Sequence, residues 1–234
     1  SREGAEVLVV DDVQKKPPAS LPAGIRFKTG NWSENDLTRA DLVVLSPGFP
    51  AAKLPAAVLQ RENVPVISEI ELAASLITAP VIGITGTNGK STTTTLVGQI
   101  LHHWGLNVFV GGNLGLPLCE AVSSNWDFVV AELSSFQLET IRHFRPRIAA
   151  LLNITPDHLD RYADLAAYQK AKWRIFENQL PQDHAVLNLD DPLTTPPTMQ
   201  ANAIYFSKNP FPGRGVYLED GDIKTTVWGE PESV

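Results

Sequence analysis

Val81-Ile82-Gly83-Ile84-Thr85 is an apolar run of strand length, and Gly86-Thr87-Asn88-Gly89-Lys90-Ser91-Thr92 follows it directly. Leu96, Val97, Ile100, Leu101 and Trp104 then recur at helical spacing on one expected face, and Gly105 supplies a stop. A strand feeding a glycine loop, a Lys-Ser pair and a helix is the architecture of a phosphate-binding loop. Its backbone N–H groups and the positive end of the helix cradle an anion. A lysine at the place of Lys90 reaches the terminal phosphates, and a hydroxyl at the place of Ser91 ligates Mg²⁺. The usual pattern is not fully met, because the position six before Lys90 is Ile84 and not glycine.

The rest of the chain agrees with an α/β fold. Strands are expected at Val7–Asp11, Leu42–Ser46 and Val64–Ile67, with a helix over Pro55–Glu62. After the loop, strands are expected at Val108–Val110, Phe128–Ala131, Ile148–Leu152, Ala185–Leu189 and Ala203–Phe206, a helix over Leu165–Gln179, and a hairpin over Val216–Trp228. Strands alternating with helices predict a doubly wound, largely parallel sheet, in which ligands sit at the carboxyl ends of the strands. Two domains are expected: a Rossmann-like one over residues 1–79 and a phosphate-loop α/β one over residues 80–234. The chain opens on Arg2-Glu3-Gly4-Ala5, which reads as the last turn of a helix, so an earlier first strand is expected to be missing; the text also stops soon after the hairpin. It is therefore expected to be a piece of a longer protein.

Composition narrows the function class. Net charge is −7 over 234 residues with no long basic run, so neither nucleic acid nor an anionic membrane surface is an expected partner. No apolar run approaches the roughly 18 residues of a membrane span, and the N-terminus has no signal pattern. One cysteine excludes an internal disulfide and fits a reducing cytosol.

Several polar residues stand where chemistry is expected. Glu132 follows the apolar strand Phe128–Ala131, a place that suits a hard cation such as Mg²⁺. Asn113 lies in a Gly-Gly-Asn-Leu-Gly turn, where turn chemistry alone also accounts for it. His158 follows the strand Ile148–Leu152 closely; a lone histidine is more often structural. Lys172 falls on the stripe Leu165, Tyr168, Lys172, Ile175, Phe176, where a cation is costly unless it is paired, altered or snorkelling.

The loop Thr85-Gly86-Thr87-Asn88-Gly89-Lys90-Ser91-Thr92 resembles the ATP loop of the Mur ligase and folylpolyglutamate synthase superfamily. Gly112-Asn113-Leu114-Gly115, the segment Glu132-Leu133-Ser134-Ser135-Phe136-Gln137-Leu138-Glu139 and the segment Asn153-Ile154-Thr155-Pro156-Asp157-His158-Leu159-Asp160-Arg161-Tyr162 follow in order. With Ser46-Pro47-Gly48 and Ser68-Glu69-Ile70-Glu71-Leu72, they are similar to the Mur ligases that add D-glutamate, over nearly the whole chain. The resemblance implies a cytoplasmic bacterial enzyme of peptidoglycan synthesis, expected to be a monomer. ATP would phosphorylate the carboxylate of UDP-N-acetylmuramoyl-L-alanine, and the amine of D-glutamate would attack the acyl phosphate. By itself, the chain as it stands is expected to be inactive.

The same resemblance implies roles. Gly86, Thr87, Asn88, Gly89, Lys90, Ser91 and Thr92 would bind ATP, and Lys90, Asn113, His158 and Lys172 would serve catalysis. Two Mg²⁺ sites would draw on Ser91, Glu132, His158 and a carbamate on Lys172. Residues 1–79 would hold the UDP-substrate through Asp11, Ser46, Pro47 and Gly48, with Asn113 near its reacting end; Asp12 departs from the hydroxyl residue often found beside Asp11. Another Mur ligase, a folylpolyglutamate synthase and a nucleotide-binding piece without turnover are the alternatives. A phosphate-loop kinase or GTPase would carry a guanine-reading Asn-Lys-x-Asp or an arginine lid, and neither is found.

Overall fold

The computed structural model describes residues 4–11, 16–19, 21–30, 33–46, 49, 51–60, 64–113, 115–229 and 232–233. They fall into two units, Ser1–Val43 with Ala52–Val66 and Val44–Ala51 with Ile67–Val234. The expected helix turn before Gly4 lies outside the described residues.

In the smaller unit, β1 (Leu8–Asp11) pairs in parallel with β2 (Arg26–Thr29), Leu8 opposite Arg26 and Asp11 opposite Thr29. Helix α1 (Glu34–Thr38) starts at a capping box, in which the Asp36 carboxylate accepts from the Ser33 N–H at 2.8 Å. Neither β2 nor α1 is among the sequence expectations. Each is five residues or fewer, too short for a periodic pattern. Strand β3 (Val43–Leu45) pairs with β4 (Val66–Ser68), and α2 is confined to Ala56–Leu59, shorter than the pattern predicts.

The larger unit continues through α3 (Glu69–Leu76), β5 (Val81–Thr85), α4 (Lys90–His103), β6 (Val108–Gly112), β7 (Phe128–Glu132), α5 (Ser135–Leu138) and β8 (Ile148–Leu151). Then come α6 (Leu165–Trp173), β9 (His184–Asn188), β10 (Asn202–Ser207), β11 (Gly215–Glu219), β12 (Asp222–Thr225) and β13 (Glu232–Ser233). One sheet runs β13-β12-β11-β10-β9-β8-β5-β7-β6, parallel from β6 to β11 and antiparallel beyond. This is the expected α/β fold with a largely parallel sheet.

The central strands are apolar on both faces because helices or loops cover both. Val81, Val129, Ala131, Ala149 and Leu151 belong to one core cluster, whereas Ile82, Ile84, Val130 and Ala150 belong to the other. Glu71 fastens α3 to the same unit: its buried carboxylate accepts from the N–H groups of Arg142, His143 and Phe144 at 2.7–2.9 Å.

Helix α4 corrects the expected face. Leu96, Ile100 and Trp104 are exposed, at 53%, 43% and 71%. Val97 and Leu101 of the expected face do pack toward the sheet, and the arc continues through Thr94 and Gly98 rather than through Leu96, Ile100 and Trp104. Gly98 sets this rotation, because a Cβ there would lie 2.4 Å from Val110 Cγ2, so glycine lets the helix lie close on β6. The long helix expected over Leu165–Gln179 also divides: α6 ends at Trp173 and a 3₁₀ turn, Arg174–Phe176, follows.

Candidate nucleotide and metal site

Strand β5 lies between β7 and β8, while the chain leaving it passes through α4 to β6 at the far side of β7. The carboxyl end of β5 is therefore a point where the strand order reverses, the place where such sheets bind ligands. The loop Gly86–Gly89 occupies that end. Gly86 (φ +155°) and Gly89 (φ +82°) hold conformations that side chains oppose, and Gly89 caps α4. The first α-helical bond of α4 runs from the Thr93 N–H to the Gly89 carbonyl at 3.0 Å. The N–H groups of Lys90, Ser91 and Thr92 are thus left for an anion at the positive end of the helix.

Ser91, Glu132 and Asn113 come together from three elements. Glu132 ends β7 and is 2% exposed. Its Oε2 accepts from Ser91 Oγ at 2.7 Å and its Oε1 from Asn113 Nδ2 at 2.8 Å. Gly112 makes the second contact possible: its φ is +103°, and a Cβ would lie 2.4 Å from the Glu132 carbonyl oxygen. Among the described residues no cationic side chain pairs with Glu132, and no cluster of three His, Cys, Asp or Glu side chains could hold a metal. A buried carboxylate satisfied by neutral donors, beside a hydroxyl and a helix N-terminus, fits Mg²⁺, which keeps water and phosphate as most of its ligands.

Lys90 Nζ donates to the carbonyls of Gly86 at 3.0 Å and Thr87 at 2.8 Å. Lys172 Nζ, 1% exposed, donates to the same Gly86 carbonyl at 2.7 Å and lies 4.6 Å from the Tyr168 ring centroid. Burial first and the nearby Lys90 charge second lower the Lys172 pKa to about 7, with Asp157 opposing the shift. Of the stripe with Lys172, Tyr168, Ile175 and Phe176 are buried and Leu165 is partly so.

His158 has φ +53° and a side chain 46% exposed. Its ring lies 4.8 Å from that of Phe136 and 6.1 Å from that of Tyr168, whose hydroxyl is 3.3 Å from Thr87 Oγ1. Arg161 covers Phe136 at 3.7 Å and pairs with Glu139 at 2.8 Å; Glu139 also accepts from the Tyr162 hydroxyl. The Ser-Ser-Phe-Gln stretch has a structural reason as well. Ser134 and Gln137 form the capping box of α5, which places Phe136.

The loop is laced to the segment after β8. The Thr87 N–H donates to the Asn153 carbonyl at 2.9 Å, and Thr87 Oγ1 accepts from the Thr155 N–H at 3.0 Å. Asn153 Oδ1 accepts from the Asn88 N–H at 2.8 Å, while its Nδ2 donates to the Asn88 carbonyl at 3.0 Å. Asp191 holds the segment from behind, accepting from the Ile154 N–H at 2.7 Å. The sequence gives Asn153, Tyr168 and Glu139 no separate role; a polar Asn-x-Thr directly after a buried strand is the signal that marks the first of them. Asp11 ends β1 in the smaller unit, and Ser46 follows β3. Pro47 and Gly48, with Asp12, lie outside the described residues.

The family model described as the Mur ligase middle domain matches residues 84–227, and that of the Mur ligase MurD-like N-terminal domain matches residues 1–68. A UDP-N-acetylmuramoylalanine–D-glutamate ligase of Geotalea uraniireducens is 48% identical over 229 residues, 94% of this chain and 51% of that protein. The protein of the same name from Trichlorobacter lovleyi is 47% identical over 243 residues, 100% of this chain and 54% of that one. The chain thus spans about half the length of the curated relatives it matches. Among solved structures, a UDP-N-acetylmuramate:L-alanyl-gamma-D-glutamyl-meso-diaminopimelate ligase from Neisseria meningitides has a TM-score of 0.60 at 24% identity, covering 98% of this chain and 79% of its own. A pseudomurein peptide ligase type C from Methanothermus fervidus has a TM-score of 0.54 at 20% identity, covering 100% and 58%. At these identities the structures speak for the fold alone.

Proposed function

The chain belongs to the Mur ligase family, and we propose that it serves the ATP-dependent, ADP-forming addition of D-glutamate to UDP-N-acetylmuramoyl-L-alanine in peptidoglycan synthesis. In this reading residues 80–234 bind ATP and residues 1–79, with Asp11, Ser46, Pro47 and Gly48, bind the UDP-substrate. The enzyme is read as a cytoplasmic monomer; among the described residues no helix is long and apolar enough to cross a membrane.

The observation that carries the reading is the Ser91–Glu132 contact at 2.7 Å, which sets a loop hydroxyl against a buried strand-end carboxylate. Phosphoryl transfer asks a protein for positioning and charge neutralisation more than for a nucleophile. Ser91 and Glu132 would hold the Mg²⁺ that accompanies the nucleotide and neutralises its phosphates. Lys90 would exchange its two backbone carbonyl partners for the terminal phosphates, and the free N–H groups of α4 would orient them. Asn113, tied to Glu132, would face the carboxylate of the UDP-substrate. His158 and Lys172 would hold a second Mg²⁺. Lys172 would do so as a carbamate: the ammonium gives up one proton, the neutral amine adds to CO₂ and gives up a second, both to solvent, and the buried cation becomes an anion with two hard oxygens.

Nucleotide titrations test the loop. We expect Mg²⁺ to raise the affinity of the chain for ADP at least tenfold, Glu132→Gln to remove most of that gain, and Lys90→Ala to weaken binding further when ATP replaces ADP. Equal ADP affinity with and without Mg²⁺ in the unaltered chain would reject the site.

A further inference from the structure

The phosphate loop is held on its outer side by one amide side chain. Asn153 Oδ1 accepts from the Asn88 N–H at 2.8 Å and Asn153 Nδ2 donates to the Asn88 carbonyl at 3.0 Å. Because the backbone N–H can only donate and the carbonyl can only accept, the amide has a single orientation here. The pairing reproduces the two bonds that a neighbouring strand would make. No carboxylate can do the same, since it has no donor for the Asn88 carbonyl.

The next positions add to the grip. The Thr87 N–H is spent on the Asn153 carbonyl, and the Thr155 N–H is spent on Thr87 Oγ1. Two N–H groups of the loop, those of Thr87 and Asn88, are therefore occupied by protein without any ligand. Asp191, accepting from the Ile154 N–H, fixes the segment that supplies these bonds.

We propose that Asn153 is a positioning residue for the phosphate loop: it holds Thr87 and Asn88 in their nucleotide-ready geometry before a nucleotide arrives and leaves the anion to the N–H groups of α4. This rests on the reading of the loop as a nucleotide site. If the binding-competent loop is otherwise only fractionally populated, apparent affinity falls by that fraction. The loss then lies in the association rate. A residue that contacts the nucleotide would act on dissociation instead.

The test uses this chain, an N-methylanthraniloyl derivative of ADP with Mg²⁺, and stopped-flow fluorescence. Asn153→Ala and Asn153→Asp are expected to lower affinity about tenfold or more, with the association rate falling by the same factor and the dissociation rate unchanged. Unchanged affinity, or a loss carried by faster dissociation, would overturn the proposal. A second measurement needs no variant and no nucleotide. Amide exchange in the unaltered chain should show the Asn88 N–H protected at least a hundredfold; exchange at the rate of a free loop amide would overturn the proposal even if both variants fail to fold. Failure of the unaltered chain to bind the nucleotide counts against the loop reading alone, because the Asn88 exchange rate is measured without it.

Discussion

Lys90 and Lys172 donate to one and the same acceptor, the carbonyl oxygen of Gly86, at 3.0 and 2.7 Å. Two ammonium groups on one carbonyl repel each other, and the buried member has few other partners. The arrangement is costly as it stands and becomes favourable once phosphate draws Lys90 away or Lys172 loses its charge. In the proposed reading the site trades stability for chemistry.

From this trade we expect Lys172→Met to leave the fold intact, with stability unchanged or raised by about 1 kcal/mol, since an apolar side chain of similar volume replaces a desolvated cation. The same change should abolish turnover of the full-length protein. Lys172→Ala should regain some turnover with added acetate or formate, small carboxylates able to take the place of the proposed carbamate. Urea denaturation and phosphate release check both halves. A fully active Lys172→Met protein would exclude any part for this side chain in catalysis.

Asp183 is fully buried and receives Arg145 at 2.7 Å and Arg147 at 3.0 Å. Burial pushes its pKa up, but the hydrogen bonds of Arg145 and the Leu180 N–H, with both arginine charges, outweigh burial and hold it below the ordinary value. A depressed folded pKa contributes stability that is present above the unfolded value, about 3.9, and is lost as pH falls through the folded one. Asp183→Asn should cost about 1–3 kcal/mol at pH 7 by weakening the charge-assisted hydrogen bonds to two partly exposed arginines. It should also flatten the loss of stability below about pH 4. Denaturation at pH 7, 5 and 3.5 measures both effects; an unchanged acid slope would mean that Asp183 carries no such linkage.

Gly112→Ala would set a Cβ 2.4 Å from the Glu132 carbonyl oxygen, at a backbone φ of +103°. The obstacle is backbone and cannot rotate away. We expect a loss of at least about 2 kcal/mol and, because Asn113 follows directly, weaker Mg²⁺-dependent ADP binding in whatever folds. Stability within ~0.5 kcal/mol of the unaltered chain would contradict the close approach of β6 to β7.

What could be read from the sequence followed from locality. The strand, loop and first turn of α4 are contiguous, and the apolar runs that became β5, β7 and β8 are buried on both faces, so each announced itself. Glu132 was legible because it ends such a run. The face of α4 was legible only in part: Val97 and Leu101 pack on the sheet as expected, whereas Leu96, Ile100 and Trp104, apolar and on the same expected face, are exposed. The closeness of Gly98 to Val110 selects which edge of that face turns inward, and that is a tertiary fact. The Asn153–Asn88 pairing spans 65 positions and is equally invisible to any local pattern.

Phosphate release from the full-length protein distinguishes a three-substrate ligation from simple ATP hydrolysis. ATP, D-glutamate and UDP-N-acetylmuramoyl-L-alanine are supplied together and then with each omitted in turn. Phosphate is expected only when all three are present, and none from Lys90→Ala although that variant still binds the UDP-substrate. Phosphate released at an equal rate without D-glutamate, or near-normal release by Lys90→Ala, would contradict the three-substrate ligation.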